Sequence, residues 1–233
     1  MTLSEPRARE RLTQRTARYV VIGADPAHAS HIWIALHGYG MLASRFARPF
    51  VDAVPANSCI IAPEGLSRFY LEQPRADGGH MQRVGATWLT RESRETEIAD
   101  AHVWLNLVHD EVVAESRAAR GRDPRVAVLG FSQGVATAMR WIANGSVQPQ
   151  QFVAWAGGLA HDVQRDAFVH KMQHAELVLV TGDSDEFATE ANREAVLTAV
   201  RQLATPHRVL TFVGGHHLDG PLLHTLFHEF ATS

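Results

Sequence analysis

Seven short apolar runs, separated by longer amphipathic ones, leave this chain few architectures to adopt. The runs are RYVVIG (18–23), HIWIAL (31–36), CIIAP (59–63), RVAVLG (125–130), QFVAWAG (151–157), ELVLVTG (176–182) and HRVLTFV (207–213). Most are rich in Val and Ile, apolar on both faces, and end in Gly, Pro or a polar residue, as strands buried in a parallel sheet do. Between 92 and 119, Ile98, Ala101, Leu105, Val108 and Val112 recur at spacings of three and four, which predicts a helix with one apolar stripe. Glu92, Glu95 and Glu97 crowd its first turns, where the helix dipole favours negative charge. Segments 134–143, 187–204 and 220–231 also read as helices, with weaker patterns at 43–53 and 162–173. This alternation predicts an α/β fold, a mostly parallel sheet of about seven strands with helices on both faces. The stretch 64–90 carries no such pattern and reads as one long irregular loop of the kind that is usually functional.

The bulk properties narrow the function classes. A chain of 233 residues fits one domain, read here as 18–233 behind a polar segment at 1–17, and needs no disulfide or metal staple. The net charge of −3 is built from interspersed acids and bases, which gives no electrostatic footing for nucleic acid. No run reaches the roughly 18 apolar residues that a membrane span requires, so no stable membrane insertion is expected. The first residues lack the apolar core of a secretion signal, and a cytoplasmic location is the expectation. The single cysteine, Cys59, lies in an apolar run and reads as a small buried hydrophobe.

Chemistry gathers at the strand ends. In an open α/β sheet, ligands bind beyond the carboxyl ends of the strands. The run at 125–130 leads into Gly130-Phe131-Ser132-Gln133-Gly134 and then a helix. A strand that turns this sharply into a helix strains the residue at the corner, and small flanking residues let the two backbones pass. Ser132 would then project above the sheet edge. The run at 31–36 ends in His37-Gly38-Tyr39-Gly40, that at 176–182 in Asp183-Ser184-Asp185, and that at 207–213 in Gly214-Gly215-His216-His217. A serine, with an acid and a histidine at the ends of later strands, provides a nucleophile, a base to take its proton, and a carboxylate to orient the base. Either Asp183 or Asp185, and either His216 or His217, satisfies this reading of the residues.

On LHGYG (36–40), GFSQG (130–134), GDSD (182–185) and GGHHL (214–218), the chain resembles the α/β-hydrolases, and within them the carboxylesterase and lysophospholipase branch that includes acyl-protein thioesterases. The resemblance runs from about residue 18 to the end. It implies a single-domain α/β-hydrolase fold, with Ser132 as nucleophile, Asp185 as acid and His216 as base. It also implies an oxyanion hole made by the backbone amides of Tyr39 and Gln133. The implied reaction is hydrolysis of a carboxylic ester or thioester through an acyl-serine, on a small-molecule or lipid substrate. Lysophospholipase and acyl-protein thioesterase are the alternatives within the branch. A non-catalytic ligand-binding protein of the same fold is the alternative from another class. Two departures fall near the acyl-binding side of the family: Met41 replaces a frequent acid, and Trp88-Leu89-Thr90 a frequent Trp-Phe-Asp.

Other candidates are weighed on the same footing. Phe69, Tyr70 and Trp88, in the long irregular stretch, are candidates to line a substrate pocket. The pairs His170/His174 and His224/His228 have the i, i+4 spacing of zinc ligands, but Lys171 stands where a zinc hydrolase helix carries glutamate. His224 and His228 also project opposite Leu222, Leu226 and Phe230, so they belong to a solvated face. No metal and no cofactor is expected. Too few residues follow the run at 151–157 to form a large cap domain, which leaves the site open. The sequence favours neither monomer nor dimer.

Overall fold

A computed structural model describes residues 7–74, 80–203 and 205–232. A seven-stranded sheet forms its centre: β1 (Tyr19–Gly23), β2 (His31–Leu36), β3 (Ser58–Pro63), β6 (Arg125–Phe131), β7 (Gln151–Trp155), β8 (Glu176–Gly182) and β9 (His207–Phe212), in the order β1-β3-β2-β6-β7-β8-β9. All pairs are parallel except β1–β3, which is antiparallel. The sheet is thus mostly parallel, as expected, with β1 as its one antiparallel member. Only residues 24–30 join β1 to β2, and a parallel return needs a crossover of a dozen residues or more. At the edges, β1 and β9 alternate between covered and exposed residues, whereas β2, β3 and β7 are buried throughout.

Strand periodicity decides which helices cover which face. Ile32, Ile34 and Leu36 point to one side, and Trp33 and Ala35 to the other. The first side packs on α2 (Arg94–Arg120), α3 (Gln133–Asn144), α4 (Arg165–Lys171) and the end of α5 (Glu190–Leu203). The second packs on α1 (Ala43–Phe46) and α6 (Gly220–Thr232), chiefly through Phe46, Leu223, Leu226, Phe227 and Phe230. On α2 the predicted stripe of Ala101, Leu105, Val108 and Val112 is buried, with Ile98 half-buried. The helix stops at Gly121, whose φ of 71° lets its amide turn back to the Arg117 carbonyl at 2.8 Å. Residues 156–164 alone connect β7 to α4, so no cap domain interrupts the sheet. No helix of the described residues is long and apolar enough to cross a membrane.

The stretch 64–90 is not irregular. It contains an antiparallel hairpin, β4 (Ser67–Pro74) with β5 (His80–Thr87), in which Ser67 pairs Thr87 and Tyr70 pairs Val84. Residues 75–79 of the expected loop lie outside the described residues, as do 1–6 of the expected polar segment. The hairpin escapes detection because it stands apart from the main sheet and leaves Tyr70, Met81 and Val84 exposed, so no face of it is uniformly apolar. Residues 7–17 form no regular element and lie on the surface, where Glu10 accepts hydrogen bonds from Ser93 (3.0 Å) and Thr96 (2.7 Å).

Candidate active site

Register places the loops. Leu36 pairs Gly130, Phe131 pairs Trp155, and Gly182 pairs Phe212, so the carboxyl ends of β2, β6, β7, β8 and β9 sit side by side. At the end of β6, Ser132 has φ 53° and ψ −117°, a conformation that L-residues rarely adopt and that costs of order 1–3 kcal/mol. The flanking glycines explain how the corner closes. A Cβ on Gly130 would stand 2.6 Å from the Gly134 carbonyl oxygen, and one on Gly134 would stand 2.2 Å from that of Leu36. Across the strand, a Cβ on Gly157 would meet the Ser132 carbonyl oxygen at 2.3 Å. The corner is walled by backbone on three sides, which holds the serine in its strained conformation.

Three distant segments converge on that hydroxyl. His216 Nε2 lies 3.0 Å from Ser132 Oγ, and His216 Nδ1 lies 2.9 Å from Asp185 Oδ2. With the ring proton on Nδ1, the imidazole donates to Asp185 and accepts from the serine. Asp185 is buried, and its other oxygen accepts the Phe187 amide at 2.9 Å. The His216 side chain keeps 19% exposure, enough for a substrate to reach it. Phe131 and Phe187 pack on the imidazole, at 5.0 and 4.7 Å between ring centres.

The neighbours left open by the sequence have other partners. Asp183 accepts the Gly214 amide at 3.0 Å, tying the acid loop to the histidine loop. The His217 ring stands edge-on to Phe212 at 5.2 Å, and its carbonyl accepts from Trp155 Nε1 at 2.9 Å. His170, His174, His224 and His228 are all exposed and lie on α4, its trailing turn and α6.

His37 supports the loop at the end of β2 rather than entering the chain of polar contacts at Ser132. It is fully buried. The Gly65 amide donates to its Nε2 at 2.9 Å, so Nδ1 carries the proton and donates to the Gly38 carbonyl at 2.7 Å. Burial pushes this imidazole down to about 4, so it is neutral near pH 7. The next residues are stitched to β5: Gly40 donates to Ala86 at 2.8 Å, and Ala86 donates back to Met41 at 3.3 Å. Among the described residues, the Tyr39 and Gln133 backbone amides have no acceptor. Gln133 opens α3, where an unpaired N–H is the geometric rule.

Several contacts here carry no signal in the sequence. The Gln133 side chain clamps the end of β5 to the corner, accepting from Trp88 N at 3.2 Å and donating to Thr87 Oγ1 at 2.8 Å and the Leu89 carbonyl at 3.2 Å. Glu64 is buried, accepting from Arg18 (2.9 Å), Arg68 (2.6 Å) and the Ala43 amide (3.1 Å). Burial alone would raise its carboxyl, but the Arg18 and Arg68 hydrogen bonds outweigh that and hold it below the ordinary value.

The three aromatic candidates are dispersed. Trp88 is buried at 3% exposure against the His37 ring, and its Nε1 donates to the His37 carbonyl at 2.8 Å. Phe69 packs on Tyr39 at 5.1 Å, and Tyr70 is exposed. None of them lines the cavity of about 720 Å³ that Ser132, Gln133, Asp185 and His216 wall on one side. That cavity extends between α5 and the β8–β9 edge, past Phe187, a residue that the sequence did not single out.

A sheet in this order, with a strained serine at its centre hydrogen-bonded to a histidine and through it to an acid, defines a serine hydrolase of α/β-hydrolase fold. The chain belongs to the serine hydrolase (FSH1) family, whose model matches residues 58–219. No curated protein sequence matches it. Solved structures share the fold over nearly the whole length at low identity. A carboxylesterase from Mesorhizobium loti superposes with a TM-score of 0.68 at 14% identity, covering 95% of this chain and 98% of its own. Acyl-protein thioesterase 2 from Zea mays gives 0.66 at 16% identity, covering 93% and 99%. A phospholipase/carboxylesterase from Dyadobacter fermentans gives 0.64 at 15% identity, covering 94% and 99%.

Proposed function

We propose that the protein hydrolyses carboxylic esters, or thioesters, through an acyl intermediate on Ser132, with Asp185 and His216 completing the triad. The observation that carries this reading is the unbroken hydrogen-bonded chain, with His216 at 3.0 Å from Ser132 Oγ and 2.9 Å from Asp185. Family membership supports the nucleophile, and the esterases and thioesterase that share the fold support the substrate class.

In the first half-reaction, His216 Nε2 takes the hydroxyl proton as Oγ attacks the carbonyl carbon. The oxyanion that forms is held by the Tyr39 and Gln133 amides, each worth about 2.7–4 kcal/mol in reactions of this type. The protonated His216 returns its proton to the leaving oxygen or sulfur as that bond breaks. Asp185 stabilises the transient imidazolium without taking its proton. In the second half-reaction, water loses a proton to His216 and attacks the acyl carbon. The bond to Oγ then breaks, Oγ regains its proton, and the carboxylic acid departs. No step requires a cofactor. His37, neutral and buried, fixes the Gly38–Gly40 backbone and so the direction of the Tyr39 N–H.

The open connection at 156–164 admits bulky leaving groups, which keeps a lysophospholipid or an acylated protein within reach as substrate. A protein of this fold that only binds ligand would have no need of an intact proton relay. The test is labelling by a fluorophosphonate probe, together with hydrolysis of p-nitrophenyl acetate, in the wild type and in Ser132→Ala. Labelling and turnover that both vanish in the folded variant are the expected result. Turnover retained in Ser132→Ala would reject the assignment.

A further inference from the structure

Phe187 is an exposed aromatic residue, at 62% exposure, packed directly on His216. A single exposed phenylalanine ordinarily means little. This one is held in place. Its amide donates to Asp185 Oδ1 at 2.9 Å, and its carbonyl accepts from Asn192 Nδ2, on the first turn of α5, at 2.9 Å. The Ala188 amide closes the turn by donating to the Asp185 carbonyl at 3.1 Å. The backbone is thus pinned on both sides, while the ring stands 4.7 Å from the His216 imidazole between centres, at 66° between planes. The other ring packed on that imidazole, Phe131, is 4% exposed and belongs to the core. Of the two, only Phe187 can meet a ligand. It lines the same cavity as Ser132 and His216.

The chemistry decides which part of a substrate reaches this ring. The acyl carbonyl is committed to Ser132 Oγ and, through its oxygen, to the Tyr39 and Gln133 amides at the ends of β2 and β6. The leaving oxygen or sulfur must come within hydrogen-bond reach of His216 Nε2 to collect its proton. Whatever that atom carries therefore begins beside the imidazole. Along the sheet, β8 lies two strands from β6 on the side away from β2, so Phe187, in the turn after β8, is across the nucleophile from Tyr39. We propose that Phe187 is a specificity-determining residue for the leaving group, and that its ring selects an aromatic alcohol. The proposal rests on the reading of Ser132 as nucleophile and His216 as the group that protonates the leaving atom. Aromatic rings pair edge-to-face or offset-stacked, with centres roughly 4.5–7 Å apart. A ring whose backbone is already fixed loses little freedom when it is covered. Esters of aromatic alcohols thus rank above those whose leaving group is polar.

The experiment compares benzyl acetate with ethyl acetate, whose alcohols are of similar acidity, by titrating the acetic acid released. Both esters form the same acetyl-enzyme, so kcat/KM reports the half-reaction in which the alcohol leaves. The wild type should favour the benzyl ester. Phe187→Ala and Phe187→Leu should each cut the benzyl-to-ethyl ratio about two- to tenfold, the range of one aromatic pair, whereas Phe187→Tyr should keep it. The ratio is taken within each enzyme, so the amount of active protein cancels, and melting curves identify a variant that does not fold. A merely structural role for the ring would slow both esters alike and leave the ratio unmoved. No benzyl preference in the wild type, a ratio unchanged in folded Phe187→Ala and Phe187→Leu, or a ratio lost in Phe187→Tyr would each overturn the assignment while leaving the nucleophile in place. A shift in the ethyl butyrate-to-ethyl acetate ratio in place of the benzyl-to-ethyl ratio would put the acyl group against the ring, and would overturn it too. Absence of both hydrolysis and fluorophosphonate labelling in the wild type would instead remove the catalytic reading, and the role of Phe187 with it.

Discussion

The His37 imidazole accepts the Gly65 amide at 2.9 Å, joining the loop after β2 to the chain just before the hairpin. This bond exists only while Nε2 is unprotonated. Because burial lowers the group from 6.5 to about 4, the unfolded chain binds a proton between those values that the folded chain does not. Stability contributed by the neutral ring is thus complete above about pH 6.5 and is lost as pH falls towards 4. Urea unfolding across this window should show a slope in the wild type steeper by up to about 1.4 kcal/mol per pH unit than in His37→Gln. Parallel slopes would show that the ring takes up its proton in the fold as readily as in the unfolded chain.

The strain at Ser132 separates activity from stability. Glycine adopts φ 53°, ψ −117° without the steric penalty that serine incurs. Ser132→Gly should therefore lose turnover by about a million-fold, as a triad member does, yet melt roughly 2–4 °C higher for each kcal/mol of strain released. A melting temperature below that of the wild type would argue that the corner is not strained.

Adjacent histidines on one loop have opposite fates. His216→Ala should remove nearly all turnover, because no other group within the described residues bridges Ser132 and Asp185. His217→Ala should keep activity within about tenfold, since its ring packs on Phe212 and faces no reacting atom. Steady-state kinetics on one short ester decides the matter, and the reverse pattern would move the base to His217.

Two adjacent glycines offer a similar contrast. A methyl group on Gly157 meets the Ser132 carbonyl at 2.3 Å, whereas one on Gly158 meets nothing within 4 Å. Gly157→Ala should push the corner out of place, lowering kcat about a hundredfold or more and destabilising by about 1–3 kcal/mol. Gly158→Ala should melt within about 1 °C of the wild type. Equal effects in thermal and kinetic assays would contradict the packing described.

Much of this molecule is legible along the chain, because strand and helix periods are local properties. The runs at 31–36, 125–130 and 176–182 are strands within a residue of their expected limits, and α2 buries the stripe that its spacing predicts. The polar clusters at the strand ends are local too, which is why candidates for nucleophile, acid and base were visible before any contact was known. What decides among them is not local. Asp185 is 31 residues from His216, and His216 is 84 from Ser132, so only the sheet register brings the correct members of each pair together. The hairpin at 67–87 depends on cross-strand pairing without a buried face, and the antiparallel β1 on the shortness of a connection. The cavity beneath α5 is the most tertiary feature of all. Val196 and Leu197 sit in a helical stripe and pack against the core, yet they also line the cavity, a space that exists only once α5 is set over the β8–β9 edge.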